Sequence, residues 1–332
     1  MVMEIFAANH SSYPKIGDAP DQQTHRIAYA RWERGEISDE EFEKIQDLVV
    51  KDVIEEQKRA GIQIVTDGLI RWYDPVSHIA RGIDGCEING LLRFFDTNFY
   101  FRQPVLKNRP RRKQPVLLRE FEYAKSVTDM PVKAVMIGPY TFTKLSINMS
   151  GLGFEDLVLE VGKILAEEAK DLSKAGAELI QVEEPAILKN VNEFEIFKSA
   201  FEIITKEAGE ERIILTTYFG DVKPLYERLL EIRVGGLGFD LTYSPNLPDL
   251  IAKVGCEKDI WLGIVDGRNT KMEREEDILR IVRKIAANTE SRRIFLMPSC
   301  GLGEYLPRKV AFKKLVLLSK VVERWKNEQE QA

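Results

Sequence analysis

Short apolar runs alternate with longer segments of helical period along the chain. The runs are MEIFAANH, GIQIVTDG, VKAVMIGP, AELIQVEEP, RIILTTYFG, VGGLGFDLTY, DIWLGIVDG and RRIFLMPSCG. Each is nearly continuous in apolar residues and ends in polar or small ones, as a strand buried on both faces does. Seven precede amphipathic segments, among them SDEEFEKIQDLVVKDVIEEQKRAG and FEDLVLEVGKILAEEAKDLSKAG, and the eighth precedes RKVAFKKLVLLSKVVERW. Ser38 and Glu41 stand at capping-box spacing where the first of these helices begins, and Gly61 and Gly176 stand where the first two end. About eight strand–helix units in 332 residues predict an α/β fold, a closed (β/α)8 TIM barrel rather than an open sheet.

One segment breaks the rhythm. Between the second and third runs lies IDGCEINGLLRFFDTNFYFRQPVLKNRPRRKQPV. Its alternation predicts a β-hairpin, with Asn89-Gly90 as the candidate turn. The expected organisation is a single barrel domain over residues 1–332 with an insertion at about 82–115. The run KNRPRRK reads as a solvated basic loop or as a local site for an anionic ligand tail.

Composition narrows the class. The chain is 44% hydrophobic and 30% charged, with a net charge of −5, which gives no reason to expect nucleic-acid binding. Cys86, Cys256 and Cys300 are too scattered for a disulfide framework or a CxxC site. The opening MVMEIFAANHSS lacks a basic n-region and a long apolar run, and no run approaches a membrane span. A cytoplasmic location without membrane contact is expected. Abundant charge and scarce cysteine point to a thermophilic source.

A barrel of this kind carries its chemistry at the C-terminal strand ends. The first strand ends in Asn9, His10, Ser11 and Ser12, with Lys15 beyond, and the second in Asp67, followed by Arg71 and Asp74. The fourth delivers Gln181, Glu183 and Glu184; the fifth Thr217, Tyr218 and Asp221; the sixth Asp240 and Tyr243. The seventh offers Asp266, Arg268 and Asn269, and the eighth Ser299 and Cys300. Acids gathered there must be paired, protonated or bound to a ligand. One reading is an ion-pair network of Asp67, Arg71, Glu183 and Arg268, and the other is a polar ligand held by those groups. Asp240 also reads as a cap for a neighbouring element, and Cys300 as a small buried residue. No GxxxxGK[ST], GxGxxG, nucleophile elbow or HExxH occurs, so nucleotide, serine-hydrolase and zinc-protease chemistry have no support.

YPKIG, RFFDTNFYF, IGPYTF, QVEEPA, TTYFGD, GIVDGRN and PSCGLGEYLP follow one another in that order. Together they resemble the cobalamin-independent methionine synthase family, and FDTNFYF, TYFGD and VDGRN resemble its N-terminal barrel. That family transfers a methyl group from a reduced pterin such as methyltetrahydrofolate to homocysteine, on a zinc held in its C-terminal barrel. The resemblance places Asp240 and Cys300 at two zinc-ligand positions, but Thr217, Tyr218 and Phe219 stand where the zinc barrel has His-x-Cys. It also puts Leu69 in place of a glutamate that grips the amino group, Glu183 at the acid before Glu-Pro-Ala, and Arg268 at a proton-donating histidine.

The resemblance implies a methyltransferase component acting beside a separate zinc-bearing barrel, with a pterin as methyl donor. A stand-alone barrel enzyme with rewired, zinc-independent chemistry and a non-catalytic pterin-binding subunit are the alternatives. The candidate catalytic residues are Glu183, Asp240, Arg268 and Cys300. Candidate substrate contacts are His10, Ser12, Lys15, Asp67, Arg71, Asp96, Asn98, Glu184, Tyr218, Asp266 and Asn269. No zinc is expected; the alternative is a rebuilt site of Cys300, His10 and Asp240.

Overall fold

The computed structural model describes residues 3–331, so Met1, Val2 and Ala332 of the expected 1–332 span lie outside the described residues. Its strands are β1 (Glu4–Ala7), β2 (Ile83–Arg93), β3 (Tyr100–Arg112), β4 (Lys133–Ile137), β5 (Ile147–Asn148), β6 (Leu179–Glu183), β7 (Ile213–Thr217), β8 (Gly236–Asp240), β9 (Asp259–Val265) and β10 (Arg293–Pro298). Seven form one parallel sheet in the order β1-β10-β9-β8-β7-β6-β4. The curled sheet closes through Ile64 and Val65, which bridge Ala8 and Val132 in parallel. The result is a TIM-like barrel.

The second run therefore sits where expected but pairs through two residues only. Side-chain amides take over part of its ladder: Gln63 accepts from the Ala7 N–H, and Gln57 both accepts from the Thr66 N–H and donates to its carbonyl. Inside the barrel Ala8, Ile64, Ile214, Trp261, Phe295 and Met297 pack as an apolar plug, with the Trp261 and Phe295 rings stacked at 3.9 Å. Gly236 permits this, because a Cβ there would lie 2.7 Å from the indole nitrogen of Trp261.

The helices that matter for the site are α1 (Thr24–Glu33), α2 (Asp39–Arg59), α3 (Pro75–Ala80), α4 (Leu118–Ser126), α5 (Pro139–Leu145) and α6 (Phe154–Lys174). Ser38 and Glu41 form the expected reciprocal cap on α2, and Gly61 and Gly176 follow α2 and α6 at positive φ. No helix of the described residues is long and apolar enough to cross a membrane.

The insertion is an antiparallel hairpin of β2 and β3, but its turn is not Asn89-Gly90. The chain reverses at Phe94–Phe99, where Thr97 donates to the Phe94 carbonyl at 2.6 Å and accepts from the Phe99 N–H. Asn89 and Gly90 lie instead in a register shift between Ile88 and Leu91, a bulge that adds one residue to β2. The basic run is not a solvated loop either. Most of it lies in β3, where Lys107 pairs with Glu87, Arg109 with Glu160, and Arg112 with Glu168 and Asp171. Those cations are already matched by acids of the hairpin and α6.

Candidate functional site at the barrel mouth

A cavity of about 40 Å³ opens at the C-terminal strand ends. Ser11, Ser12, Asp74, Glu183, Tyr218, Cys300 and Glu304 supply its polar lining, while Leu69, Trp72, Phe94, Phe99 and Tyr305 supply apolar walls. The hairpin turn roofs it through Phe94 and Phe99. Leu69, Phe95 and Phe219 all have φ between 51° and 61°, so among the described residues each non-glycine residue in the left-handed region belongs to this mouth or borders it. Such strain persists where surrounding contacts over-determine the backbone.

On the side of β1, β4 and β6 the polar groups form one connected column. Residues 181 and 183 project from the same face of β6. Glu183 Oε1 accepts from Gln181 Nε2 at 2.8 Å, and Oε2 accepts from Tyr218 Oη at 2.7 Å. Burial raises the Glu183 carboxyl above its ordinary value, against those hydrogen bonds and the charge of Lys133. Lys133 donates to Gln181 Oε1 at 2.5 Å, and burial lowers its ammonium to about 7. His10 lies fully buried beside them, its Nδ1 2.8 Å from Ser11 Oγ and 3.6 Å from Glu183. Burial, then Lys133, hold it well below the usual histidine value and therefore neutral. Ser12 donates to Glu304 at 2.5 Å at the rim.

The side of β7, β8 and β9 is built differently. Phe219 packs against Phe94, Phe95, Tyr218 and Tyr243, and the Arg268 guanidinium lies over Phe219 at 4.9 Å and over Tyr243 at 4.8 Å. Both oxygens of Asp240 are engaged: Oδ1 accepts from the Thr242 N–H and hydroxyl, Oδ2 from the Phe219 N–H. Burial raises the Cys300 thiol well above its usual value. A zinc ion needs a filled shell of N, S or O donors. Here Phe219 offers none, Thr217 turns its hydroxyl to the Gly238 carbonyl, and Asp240 is spent on backbone. These residues do not fit a zinc ion. His10, Cys300 and Asp240 are not brought together as a group of three candidate ligands, and no such group gathers among the described residues.

Several other expected contacts go elsewhere. The four-membered ion-pair network does not form. Arg71 bonds to Asp47 of α2 and faces a separate cavity of about 430 Å³ between α1, α2 and α4, which Lys15 also lines. Lys15 donates to the carbonyls of Ile70 and Trp72, and burial lowers it to about 8. Asp67 caps the Leu69 N–H, and burial and Glu120 raise it to about 6. Glu184 turns away from the mouth and caps α5, accepting from the N–H groups of Tyr140 and Thr141 and from the Thr141 hydroxyl. Asp266 and Asn269 hold their own loop by accepting from the N–H groups of Arg268 and Lys271. Asp96 accepts from Tyr243 Oη at 2.9 Å with Arg268 4.0 Å away, tying the hairpin turn to the barrel, and Asn98 is exposed. Lys133, Glu304, Phe94 and Phe99 were not among the expected site residues. For Lys133 a signal existed, a lone charge inside the apolar run VKAVMIGP.

Comparison with known proteins agrees with the sequence resemblance. A family model described as the cobalamin-independent synthase N-terminal domain matches residues 75–290. The methionine synthase of Saccharolobus solfataricus is 30% identical over 304 residues, covering 91% of this chain and 90% of its own. That of Sulfurisphaera tokodaii is 30% identical over 307 residues, covering 92% and 89%. Among solved structures, a B12-independent methionine synthase from a Shewanella species, in complex with selenomethionine, superimposes with a TM-score of 0.83 at 19% identity, covering 98% of this chain and 99% of that one. A Listeria monocytogenes protein described as a putative vitamin-B12-independent methionine synthase gives 0.76 at 15% identity, covering 98% of each. At those identities the structures establish the shared barrel, and the family follows from the sequence matches. The chain belongs to the cobalamin-independent methionine synthase family of methyltransferases.

Proposed function

We propose that this chain is the amino-acid-binding component of a methionine synthase-type methyl transfer, in which a reduced pterin such as methyltetrahydrofolate methylates homocysteine. The observation that carries this reading is the mouth pocket itself. It sets the Glu183 carboxylate, flanked by Tyr218, against apolar walls from Leu69, Trp72, Phe94 and Phe99. An ammonium group suits the first and a thioether chain the second. The Shewanella relative of the same fold was solved with selenomethionine, a ligand that carries both an ammonium group and an apolar chain.

The thiol must still be activated. A thiol is a weak nucleophile until it is deprotonated, and the side chains at positions 217, 219 and 240 do not make a metal site here. A separate barrel of the same family, carrying the His-x-Cys pair, is the partner this reading requires. Its contact would involve the strand-end face, where the pocket opens. A second reading rests on Arg268. Its guanidinium, partly exposed at the mouth, suits a substrate carboxylate, with Glu183 or Asp67 as base in a stand-alone enzyme.

Methyl transfer measured with the purified chain, with the zinc-bearing barrel, and with both together decides between them. Methionine formed by the mixture and not by this chain alone is the expected result. Methionine made at ordinary rates by the isolated, chelator-treated chain would overturn the two-component reading. Pterin binding without turnover in the mixture would leave a non-catalytic subunit.

A further inference from the structure

Lys133 begins β4 with its side chain inside the barrel, and the residue is only 1% exposed. Its ammonium overlies the Trp261 ring at 4.7 Å and donates to a neutral amide, Gln181. A buried cation is expensive to hold in this way, and the apolar plug around it would be filled as well by methionine. The direction of its hydrogen bond suggests what the charge does.

An ammonium has donors and no acceptor. The end of the Gln181 amide that faces Lys133 must therefore be the carbonyl oxygen, which leaves Nε2 facing up the strand. There it donates to Glu183 Oε1 at 2.8 Å, while Tyr218 Oη lies 2.7 Å from Oε2. An ionised carboxylate accepts both contacts as they stand, whereas a carboxylic acid would have to reverse one. The groups that face Glu183 are Tyr218 from β7, His10 and Ser11 after β1, Gln181 on its own strand and Lys133 beneath. Neutral His10 adds no competing positive charge.

We propose that Lys133 is a positioning residue for ligand selection: by fixing the Gln181 amide, it presents Glu183 at the mouth as an ionised acceptor, so the pocket selects molecules that carry an ammonium group. This rests on the reading of Glu183 as the group that takes the ammonium of the amino acid.

The test uses the purified full chain and two probes, L-methionine and its desamino counterpart 4-(methylthio)butanoate, titrated calorimetrically at pH 6.5, below the value of about 7 to which burial lowers Lys133. Wild type is expected to prefer methionine by about tenfold or more, the scale of one charge-assisted hydrogen bond. In Lys133→Met the preference should collapse to within about twofold, since an unconstrained amide no longer favours the ionised acid. Gln181→Glu breaks the column from the other end, keeping an acceptor for Lys133 while removing the donor to Glu183. It should give the same collapse, and it decides the matter if Lys133→Met does not fold. A wild-type preference that survives in Lys133→Met overturns the proposal and leaves the Glu183 reading standing. So does an equal weakening of both probes with the preference intact, which is what a purely structural lysine would give. A wild type without any preference overturns the Glu183 reading and the proposal with it.

Discussion

The two sides of the barrel mouth solve the burial of polar groups in opposite ways. Toward β1, β4 and β6, donors run from Lys133 through Gln181 to Glu183 and end at the cavity. Toward β7, β8 and β9, the acid at the strand end is turned inward and consumed, Asp240 by Thr242 and the Phe219 N–H, while aromatic rings and Arg268 occupy the space. A buried carboxylate at a strand end is thus no mark of function by itself. What separates Glu183 from Asp240 is where the donors that satisfy it come from, and whether an edge remains open to a ligand.

Replacing the acid on the first side should have the largest effect. Glu183→Gln keeps the volume but removes the charge that an ammonium would meet. The affinity for L-methionine should fall by about thirtyfold or more, on the scale of a charge-assisted hydrogen bond. The melting temperature should change little, because the amide can keep both contacts, its oxygen accepting from Gln181 Nε2 and its nitrogen donating to Tyr218 Oη. Normal binding with a much lower melting temperature would show that Glu183 is structural and erase the contrast.

Its sequence neighbour should behave the other way. Glu184 caps α5 with three accepted hydrogen bonds, so Glu184→Gln should cost about 2 kcal/mol of stability and leave methionine affinity within about twofold. Burial raises this carboxyl to about 7 from its ordinary 4.5. A folded-state value above the unfolded one means that the contribution is fullest in acid and is lost as pH rises through about 7. The stability gap between wild type and variant, read from urea denaturation, should therefore be wider at pH 5 than at pH 8. A gap that widens toward alkaline pH would mean that the cap is held ionised.

The contrast between Glu183 and Glu184 was not legible in the chain, although both residues were expected at the mouth. Periodicity located seven of the eight strands as full strands and the helices between them, because burial on both faces leaves an apolar run. It overstated the second strand, where the amides of Gln57 and Gln63 replace backbone partners. It misplaced the hairpin turn, because Thr97 supplies turn bonds that a search for Asn-Gly does not weigh. Pairings between residues distant in sequence were beyond its reach. Arg71 meets Asp47, and the arginines of the basic run meet acids of α6, through tertiary contacts that no local pattern records.

On the second side the effect should be smaller. Arg268→Ala removes two cation–π contacts and the weak pairing with Asp96 that ties down the hairpin turn. Partly exposed contacts of this kind contribute about 1 kcal/mol together, so the melting temperature should drop only slightly. Methionine affinity should weaken by about threefold as the roof loosens. A loss greater than about thirtyfold, confined to ligands with a carboxylate, would instead make Arg268 a direct carboxylate contact. The stand-alone reading would then gain what the two-component reading loses.

The smallest effect should come from metal removal. Thr217 and Phe219 stand where the family's zinc barrel has its His-x-Cys pair, and Phe219 is packed among rings that leave its position apolar. Of the remaining pair, Asp240 already accepts from three backbone or hydroxyl donors, and burial disfavours the Cys300 thiolate that zinc would require. Any zinc would have to break the Asp240 bonds and ionise a buried thiol while filling only half its shell. Elemental analysis of protein purified with zinc present should find far less than one equivalent, and chelation should move neither the melting temperature nor the methionine affinity. Near-stoichiometric zinc that disappears in Cys300→Ala would sink this expectation. It would also relocate the chemistry to the side of the mouth where the side chains now seal the barrel.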